Sequence, residues 1–569
     1  MTTQPFKTIA ETLFVYISRR AEGFVAFVVL LAFTMTLQVL AGAYTSNFGT
    51  SSTGNLDEPA HLVTSLMARD FIASLDFRHA WQFVQEYYYH YPKVAIGHWP
   101  PVLYGALGTW FLIFEASRTT SMIFIAIVAT ITACVIYFIG KRLIARWAGA
   151  LSAILFLASP LVQESSARVM PEHLVTLAML VSTLCFASFA RTGQTGHGFA
   201  FGVVAVLAIL TRGSAWALAL VPGLTIALTK RWWLLRKWGL WLAAVPVLFA
   251  GVPWYVLTRG MVEDSWYGGS SYWLEAIPYF SRSIYLALGF TVLLFALIGL
   301  WSRVIQVRVK RRAEVVPDWA ALAALAIATF ALHCIVPAGV ESRYMVTVVP
   351  SIVLFFTAGI DKTAQRLGAR LPISVVRAGL IVAVVAAFCG ESFTVPLQPR
   401  NGGHEELVQH VMARASNAAQ IWLISSDADG EGRLIAAVAL REGHPDSYVL
   451  RAKTILGGGD WLWRNMQDRF DTPAKLAGLL NDIPVTIVVI DDQIPPEAHR
   501  PYQDRLRDLV AREDDKWELI GSYPQTRGEM VFPNSLHVYA RRPAASVTMA
   551  PSAIWLDRLR ALMVRKELR

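Results

Sequence analysis

The sequence is poor in charged residues and in cysteine. Asp, Glu, Lys and Arg make up 16% of its 569 residues, whereas a soluble chain of this length would carry about 25%. Hydrophobic residues make up 55%, and the mean hydropathy is +0.44. This composition excludes an ordinary soluble protein and predicts a membrane protein. All four cysteines lie in hydrophobic stretches, so we expect no disulfide framework.

The N-terminal sequence also does not have the features of a cleavable signal peptide. The first apolar run is long, follows Lys7, Arg19 and Arg20, and has no Ala-x-Ala-like cleavage site. We therefore expect this run to be retained as the first membrane span.

Long apolar runs account for most of the N-terminal part of the chain. Crossing the hydrocarbon core of a bilayer takes about 17 to 25 such residues. The 13-residue run Val102–Phe114 follows two prolines, and we interpret it as a half-inserted or surface helix. The other runs predict a mainly α-helical polytopic fold with eleven spans, two of them short: 23–43, 119–140, 147–162, 173–190, 198–211, 214–229, 238–257, 284–301, 318–336, 344–360 and 378–395.

The basic residues set the predicted orientation. With the N-terminus inside, the inner segments hold 20 Lys and Arg, and the longer outer loops before residue 396 hold nine. Cytoplasmic loops carry such an excess. The pattern predicts a cytoplasmic N-terminus with outer loops at 44–118 and 258–282, and we expect the membrane to be the bacterial inner membrane. The same pattern also explains the formal net charge of +10 without a nucleic-acid partner.

The composition changes after residue 396. Apolar stretches now alternate with helical patterns, which predicts a small α/β domain over 397–545 outside the membrane, following a transmembrane domain over 1–396. The amphipathic, basic segment 546–569 predicts a helix on the membrane surface or on this domain, and both remain open. The predicted strands are Ile421–Ser425, Val485–Ile490 and Leu536–Ala540, and the predicted helices are Arg433–Arg441 and Thr472–Asn481.

Two adjacent carboxylates, Asp57 and Glu58, follow the first span in the first outer loop. One of them could accept a proton from an attacking hydroxyl. On a helix Glu58 points about 100° away from Asp57, so the two need not act together. The alternative is that Asp57 caps a helix that has Pro59 near its first position. The spacing leaves both open.

His61 follows Asp57 by four residues, so a helix places both on one face. They could ligate a divalent cation, but two ligands are too few to define a site. A metal therefore remains open.

Charged residues recur at other predicted membrane boundaries. Glu172 follows Arg168 and Pro171, and it either faces the cavity of Asp57 or favours the dipole of its own helix. Arg212 lies in a break between two short helices, and Arg343 directly precedes a span. Such cations suit a lipid phosphate, or they reach ordinary headgroups.

The order of the short motifs resembles glycosyltransferase family 39, the protein O-mannosyltransferase and lipid A aminoarabinose transferase type within the GT-C membrane fold. The resemblance covers roughly residues 20 to 360. The motifs are Asp57-Glu58, His98-Trp99-Pro100-Pro101-Val102-Leu103-Tyr104, Lys141-Arg142-Leu143, Ala158-Ser159-Pro160, Arg168…Pro171-Glu172, Leu210-Thr211-Arg212 and Arg343-Tyr344…Pro350.

This resemblance implies a polyprenyl-phosphate-linked sugar as donor and an inverting transfer at the outer membrane face. Asp57 matches the catalytic acid of the first loop. Glu172 matches the acid of the second loop, where members often have Asp, and Arg212 stands where many members have Lys.

The implied reaction assigns roles to the remaining residues. Asp57 takes the proton of the acceptor hydroxyl, and the departing lipid phosphate is stabilised by Arg343. Glu58 is the further candidate catalytic acid. The other candidates bind the phosphate (Arg212, Lys93, Arg168) or line the substrate pocket (His61, His98, Trp99, Tyr104, Tyr344).

Other functions remain as alternatives. A transporter or flippase of lipid-linked sugars predicts internal repeats and ionisable groups near the membrane midplane. The predicted spans are nearly free of charge and the polar residues gather on one face, which favours an enzyme. Transfer of another lipid-linked group, and a lipid, glycan or protein acceptor, stay open.

Overall fold

The computed structural model describes residues 21–40, 55–263, 271–310, 314–368, 372–393, 400–414, 419–458, 467–528, 530–542 and 553–563. Its N-terminal part is helical. In chain order the helices are α1 Ala21–Leu40, α2 Glu58–Ser74, α3 Ala80–His90, α4 Val102–Ile113, α5 Arg118–Leu143, α6 Arg146–Ala158, α7 Pro160–Ser166, α8 Glu172–Thr192, α9 Thr195–Ile209, α10 Leu220–Thr229, α11 Trp238–Leu257, α12 Arg259–Glu263, α13 Tyr272–Ile305, α14 Pro317–Ile335, α15 Ser342–Leu367 and α16 Ile373–Glu391.

These helices confirm the predicted helical membrane fold but not the number of spans. Within the described residues, eight helices are long and apolar enough to cross a membrane, or nine if α6 and α7, bent by 60°, count as one. The bend lies at Pro160, which starts α7. The predicted spans 198–211 and 214–229 are α9 and Gly213–Thr229, both too short to cross as straight helices.

The short apolar run after the two prolines forms α4, and α4 packs against α2. A Cβ at Gly108 would lie 2.8 Å from the backbone nitrogen of Arg69, so the two helices touch through a position that excludes side chains. Leu107 and Phe111 are buried on the same face, while Leu112 and Ile113 are exposed. The short helix α4 therefore lies on the surface of α2 and is held there by packing.

The predicted outer loop 258–282 is corrected by the structure. Arg259–Glu263 and the residues from Tyr272 onward are helical, and 264–270 lie outside the described residues. The helix α13 is interrupted at Gly289, whose φ of +74° suits glycine. The amide and hydroxyl of Thr291 donate to Glu391 at 3.0 and 2.6 Å. This carboxylate satisfies donors that the break would leave free.

Helices α13 and α15 cross at Gly299 and Gly359. A Cβ on Gly299 would overlap the carbonyl oxygen of Phe355, and one on Gly359 would overlap that of Phe295. Small residues at such crossings let membrane helices approach closely.

Gly299→Ala is therefore expected to destabilise the protein by about 1 to 3 kcal/mol through overpacking. Thermal unfolding in detergent would show it. Gly379→Ala is the matched control, since a Cβ at that helical position meets nothing within 4 Å. An equal effect of both variants would contradict the close crossing.

Buried acids hold several of the basic residues that the orientation argument counted. Asp318 accepts from Arg142 and Arg191. Asp361 accepts from Arg303 and Arg377, each at 3.1 Å. These pairs tie helix ends together at the end of the bundle remote from α2.

The C-terminal part is an α/β domain with a six-stranded sheet in the order β1-β7-β8-β6-β2-β3. Strand β2 pairs in parallel with β3 and β6, and the other pairings are antiparallel. The strands are β1 Arg400–Gly402, β2 Ile421–Ser425, β3 Tyr448–Arg451, β4 Gly457–Gly458, β5 Gln467–Asp468, β6 Ile487–Asp491, β7 Trp517–Gly528 and β8 Met530–Arg541. The helices are α17 His404–Arg414, α18 Ala428–Glu442, α19 Ala452–Ile455, α20 Pro473–Asp482, α21 Pro501–Arg512 and α22 Ala553–Met563.

The three predicted strands correspond to β2, β6 and β8, and the two predicted helices to α18 and α20. Terminal helix α22 lies on this domain, because Trp555, Leu559 and Met563 are buried with Leu450 and Leu479. That contact decides between the two positions left open for it. The predicted boundaries at 396/397 and 545/546 lie outside the described residues.

Candidate active site

The C-terminal domain docks on the first outer loop. Apolar residues of α2, among them Leu62 and Val63, share one buried cluster with Trp422 and Leu434. Polar contacts accompany it: a ring nitrogen of His90 lies 3.0 Å from the Ser447 carbonyl oxygen. The domain and this loop therefore lie on the same side of the helical bundle.

Five charged residues from distant parts of the chain meet at the start of α2. Arg343 Nη2 donates to Asp57 Oδ2 at 2.9 Å and to Glu341 Oε1 at 2.7 Å. Arg343 Nε lies 3.5 Å from Glu172 Oε1, which also binds Arg212. We call Asp57, Glu172, Arg212, Glu341 and Arg343 the charged cluster.

Local structure turns Asp57 toward this cluster. It occupies the capping position before α2, but its carboxylate accepts no hydrogen bond from the helix. Its amide instead donates to the side chain of Asn55 at 2.9 Å, and its carbonyl accepts from the His61 amide at 3.0 Å. The carboxylate is free of the capping role and is held by Arg343.

Helix ends and breaks position the other members of the charged cluster. Glu172 starts α8 after Pro171, and Arg212 lies in the break that follows α9. Arg343 lies in the 3₁₀ turn Ser342–Val348 that opens α15. Main-chain groups are not all paired within a helix at such places.

Glu172 retains an unused hydrogen-bonding atom. The side chain is 2% exposed, and its Oε2 has no hydrogen-bond partner among the described residues. Buried polar atoms are normally paired. This oxygen is therefore available to a further polar group beside the two guanidinium groups.

Asp57 stays ionised in this environment. Burial opposes its ionisation, but the charge and hydrogen bond of Arg343, with help from the charge of Lys93, outweigh burial and hold the pKa of Asp57 below its usual value. The carboxylate is therefore available to accept a proton at neutral pH.

Aromatic and histidine side chains form the wall beside Asp57. His61 Nδ1 lies 3.0 Å from the Tyr104 hydroxyl, and its ring centroid lies 4.6 Å from that of Trp99. Burial lowers the pKa of His61 to about 4, so the ring is neutral. His98 packs edge-on against Trp99. The chain thus brings four predicted pocket residues together.

The other side of the charged cluster is also aromatic. The Arg212 guanidinium lies 4.3 Å from the centroid of the Tyr344 ring, which His333 stacks against at 5.0 Å. The Tyr344 hydroxyl donates to Glu341 Oε1 at 3.0 Å. Stacking fixes the guanidinium in a plane suited to a phosphate.

The end of the first loop is docked on the broken α9–α10 segment. The Val102 amide donates to the Leu210 carbonyl at 2.9 Å. Gly97 has φ of +94° and its missing side chain leaves room for Met261. These contacts hold the His98–Tyr104 motif close to the charged cluster.

Lys93 lies between Asp57 and the C-terminal domain. A Cβ on Gly432 of α18 would lie 3.1 Å from Lys93 Nζ. Burial lowers the pKa of Lys93 to about 8, against the opposing charges of acids that include Asp57 and Asp429. It is within electrostatic reach of Asp57. Arg168, by contrast, pairs with Glu164 at 2.9 Å.

Glu58 is turned away from Asp57. Its carboxylate accepts from Arg118 at 3.1 Å and from the Val169 amide at 3.3 Å. Glu58 and Arg118 are both buried. The contacts place Glu58 in a structural pair and not in the charged cluster, which corrects its expected place there.

Glu58→Gln is accordingly expected to destabilise the fold by about 3 to 5 kcal/mol, because it removes the carboxylate charge that faces the buried guanidinium of Arg118. The turnover number of the protein that remains folded should stay near that of the wild type. Unfolding curves and rates per folded molecule measure the two effects separately. A large loss of turnover without loss of stability would restore Glu58 to the reaction.

Within the described residues, no group of three or more His, Cys, Asp or Glu side chains is placed to hold a metal ion. Asp57 contacts Arg343, and His61 contacts Tyr104.

Sequence reasoning did not single out Glu341 or His333. Glu341 stands two residues before Arg343, which was its available signal, and His333 lies inside a predicted span.

Part of the chain is similar to a known protein family. The family described as Dolichyl-phosphate-mannose-protein mannosyltransferase matches residues 98–257. No curated protein sequence matches the chain significantly.

Two solved structures are similar over most of the chain. ArnT from Cupriavidus metallidurans, bound to undecaprenyl phosphate, is 15% identical, with a TM-score of 0.57 over 91% of this chain and 98% of ArnT. The oligosaccharyltransferase AglB from Archaeoglobus fulgidus, in complex with an inhibitory peptide and a dolichol-phosphate, is 13% identical, with a TM-score of 0.53 over 93% of this chain and 77% of AglB. At these identities the likeness establishes the fold.

The matched segment 98–257 begins at His98 of the aromatic wall and contains Glu172 and Arg212 of the charged cluster. Together with the shared architecture, it confirms the resemblance drawn from the order of the motifs. The chain is a multi-pass membrane protein with the GT-C glycosyltransferase fold, and its residues 98–257 are similar to the family described as Dolichyl-phosphate-mannose-protein mannosyltransferase.

Proposed function

We propose that the protein is an inverting glycosyltransferase that moves a sugar from a polyprenyl phosphate to an acceptor hydroxyl on the outer face of the membrane. The observation that carries the proposal is the Asp57–Arg343–Glu172–Arg212 chain of contacts. It places an ionised carboxylate beside two guanidinium groups at one end of the helical bundle.

The charged cluster supplies the two functions that the reaction needs. Asp57 accepts the proton of the acceptor hydroxyl as its oxygen bonds to the anomeric carbon. The bond from that carbon to the phosphate oxygen breaks, and Arg343 and Arg212 stabilise the charge that develops on the polyprenyl phosphate. Lys93 adds a cation near Asp57. The wall of His61, His98, Trp99, Tyr104 and Tyr344 orients the sugar.

Glu172 has a positioning role in this scheme. It binds Arg212 and lies beside Arg343, so it holds both guanidinium groups on one side of Asp57. Without ligand, the acids occupy donors of Arg343 that a phosphate would take over. ArnT, which shares the fold, was solved with undecaprenyl phosphate bound, which supports this class of donor.

The first experiment tests donor use. Purified protein in lipid vesicles is given a panel of polyprenyl-phosphate sugars, with hydroxyl-bearing lipids, glycans and peptides as acceptors. We expect consumption of one donor with release of polyprenyl phosphate and the opposite anomeric configuration in the product. Transmembrane movement of an intact donor without any sugar transfer would favour the flippase alternative and contradict the proposal.

A further inference from the structure

A groove lies at the end of the bundle opposite to Asp57. It has a volume of about 350 Å³ and lies beside α13 and α15. Its wall is mostly apolar and its rim is basic, with Lys362 and Arg366 from α15. The residues of α13 that line it are Leu294, Leu297, Ile298, Leu300, Trp301, Ser302 and Ile305.

The groove is separated from the charged cluster by the length of one helix. Arg343 stands near the start of α15 and Arg366 near its end. At 1.5 Å per residue these positions are about 35 Å apart along the axis. The hydrocarbon core is about 30 Å thick, so the rim of the groove and the charged cluster lie near opposite membrane surfaces.

The two cations at the rim have no acidic partner among the residues described. The nearby cations Arg303 and Arg377 differ from them in this respect, because both bind Asp361. Lys362 and Arg366 lack such a bond and lie where an apolar surface begins. Trp301 is half exposed beside them, and tryptophan favours the membrane–water boundary.

We propose that this groove binds an anionic phospholipid, with one acyl chain along the apolar wall of α13 and the phosphate paired with Lys362 and Arg366. A cationic rim above an apolar wall is complementary to an acidic headgroup above an acyl chain. A zwitterionic lipid offers less net charge to the same rim. The proposal does not depend on the transferase activity.

The test uses the full chain in nanodiscs made from equal parts of phosphatidylglycerol and phosphatidylcholine. Lipids retained on the protein are counted by native mass spectrometry. We expect selective retention of phosphatidylglycerol, and Lys362→Gln with Arg366→Gln should weaken it roughly 30-fold, since each cation near a surface adds about 1 kcal/mol toward an anionic lipid.

Two further variants distinguish the groove from general surface charge. Arg236→Gln with Lys237→Gln removes the same charge from another exposed basic turn and should leave retention within about twofold of the wild type, since selective binding needs the apolar wall. Leu297→Trp fills the groove without a charge change and should also reduce retention. Equal retention of both lipids, or equal losses in the matched control, would overturn the proposal.

Discussion

Asp57→Asn is expected to lower the rate of sugar transfer by roughly 10²- to 10⁴-fold, the contribution typical of a positioned general base. The amide keeps the shape of the side chain but cannot accept the proton. Donor binding should persist, because Arg343, Arg212 and Lys93 remain cationic. Donor consumption and binding of the polyprenyl phosphate, measured on the same preparation, separate the two effects.

Asp76→Asn is the matched control for this substitution. Asp76 lies in the same outer loop and is exposed, with His79 as its partner, so its loss should not change transfer. Normal transfer by Asp57→Asn would show that the Asp57–Arg343 contact is structural and would remove the proposed base.

The pH dependence of the wild type gives a second view of Asp57. A base must be deprotonated to act, and the pKa of Asp57 lies below its usual value. Its contribution to the rate is therefore present at neutral pH and lost only as the pH falls below the ordinary aspartate range, near about 4. A loss of rate centred near pH 6 would assign the base to another group.

Arg343→Gln is expected to lower the turnover number by roughly 10²- to 10³-fold, the range seen when one donor to a developing anion is removed. Donor affinity should fall as well, because the guanidinium would bind the phosphate before and after transfer. Arg343→Lys keeps the charge but not the planar fork, so it should recover only part of the rate. Single-turnover rates at saturating donor measure the effect.

Arg343→Gln is also expected to destabilise the fold. The experiment therefore has to separate the loss of stability from the loss of rate. Arg343 contacts Asp57, Glu172 and Glu341, and Glu172 is buried. Removing one member of a buried ion pair costs up to about 3 to 5 kcal/mol. Adding Glu172→Gln to Arg343→Gln should recover part of the stability without recovering the rate. Arg78→Gln, at an exposed site in the first outer loop, serves as the control. Recovery of rate together with stability would mean that Arg343 acts only through the fold.

The contact between α2 and the C-terminal domain explains why this domain matters to the site. Lys93 is covered by Gly432 on one side and lies within electrostatic reach of Asp57 on the other. The domain thus limits the water around one cation of the site. Cations in such surroundings act more strongly on nearby charge than they do in water.

Local patterns in the sequence were sufficient for the membrane class, the C-terminal α/β region and strand β2. Apolar transfer and backbone hydrogen bonding act over a few residues, so runs such as 119–140 identify their helices directly. The motifs likewise marked Asp57, Glu172, Arg212 and Arg343 as charged residues at membrane boundaries. Their order along the chain carried the resemblance to the GT-C family.

Tertiary structure alone decided which charges meet. Asp57 and Arg343 are 286 residues apart in the chain, and no local pattern shows that Asp57 contacts Arg343 whereas Glu58 contacts Arg118. The place of α22 also depended on a distant apolar surface. The physical reason is the same in each case: a side chain's secondary structure follows from its neighbours in sequence, whereas its partner depends on how whole helices pack.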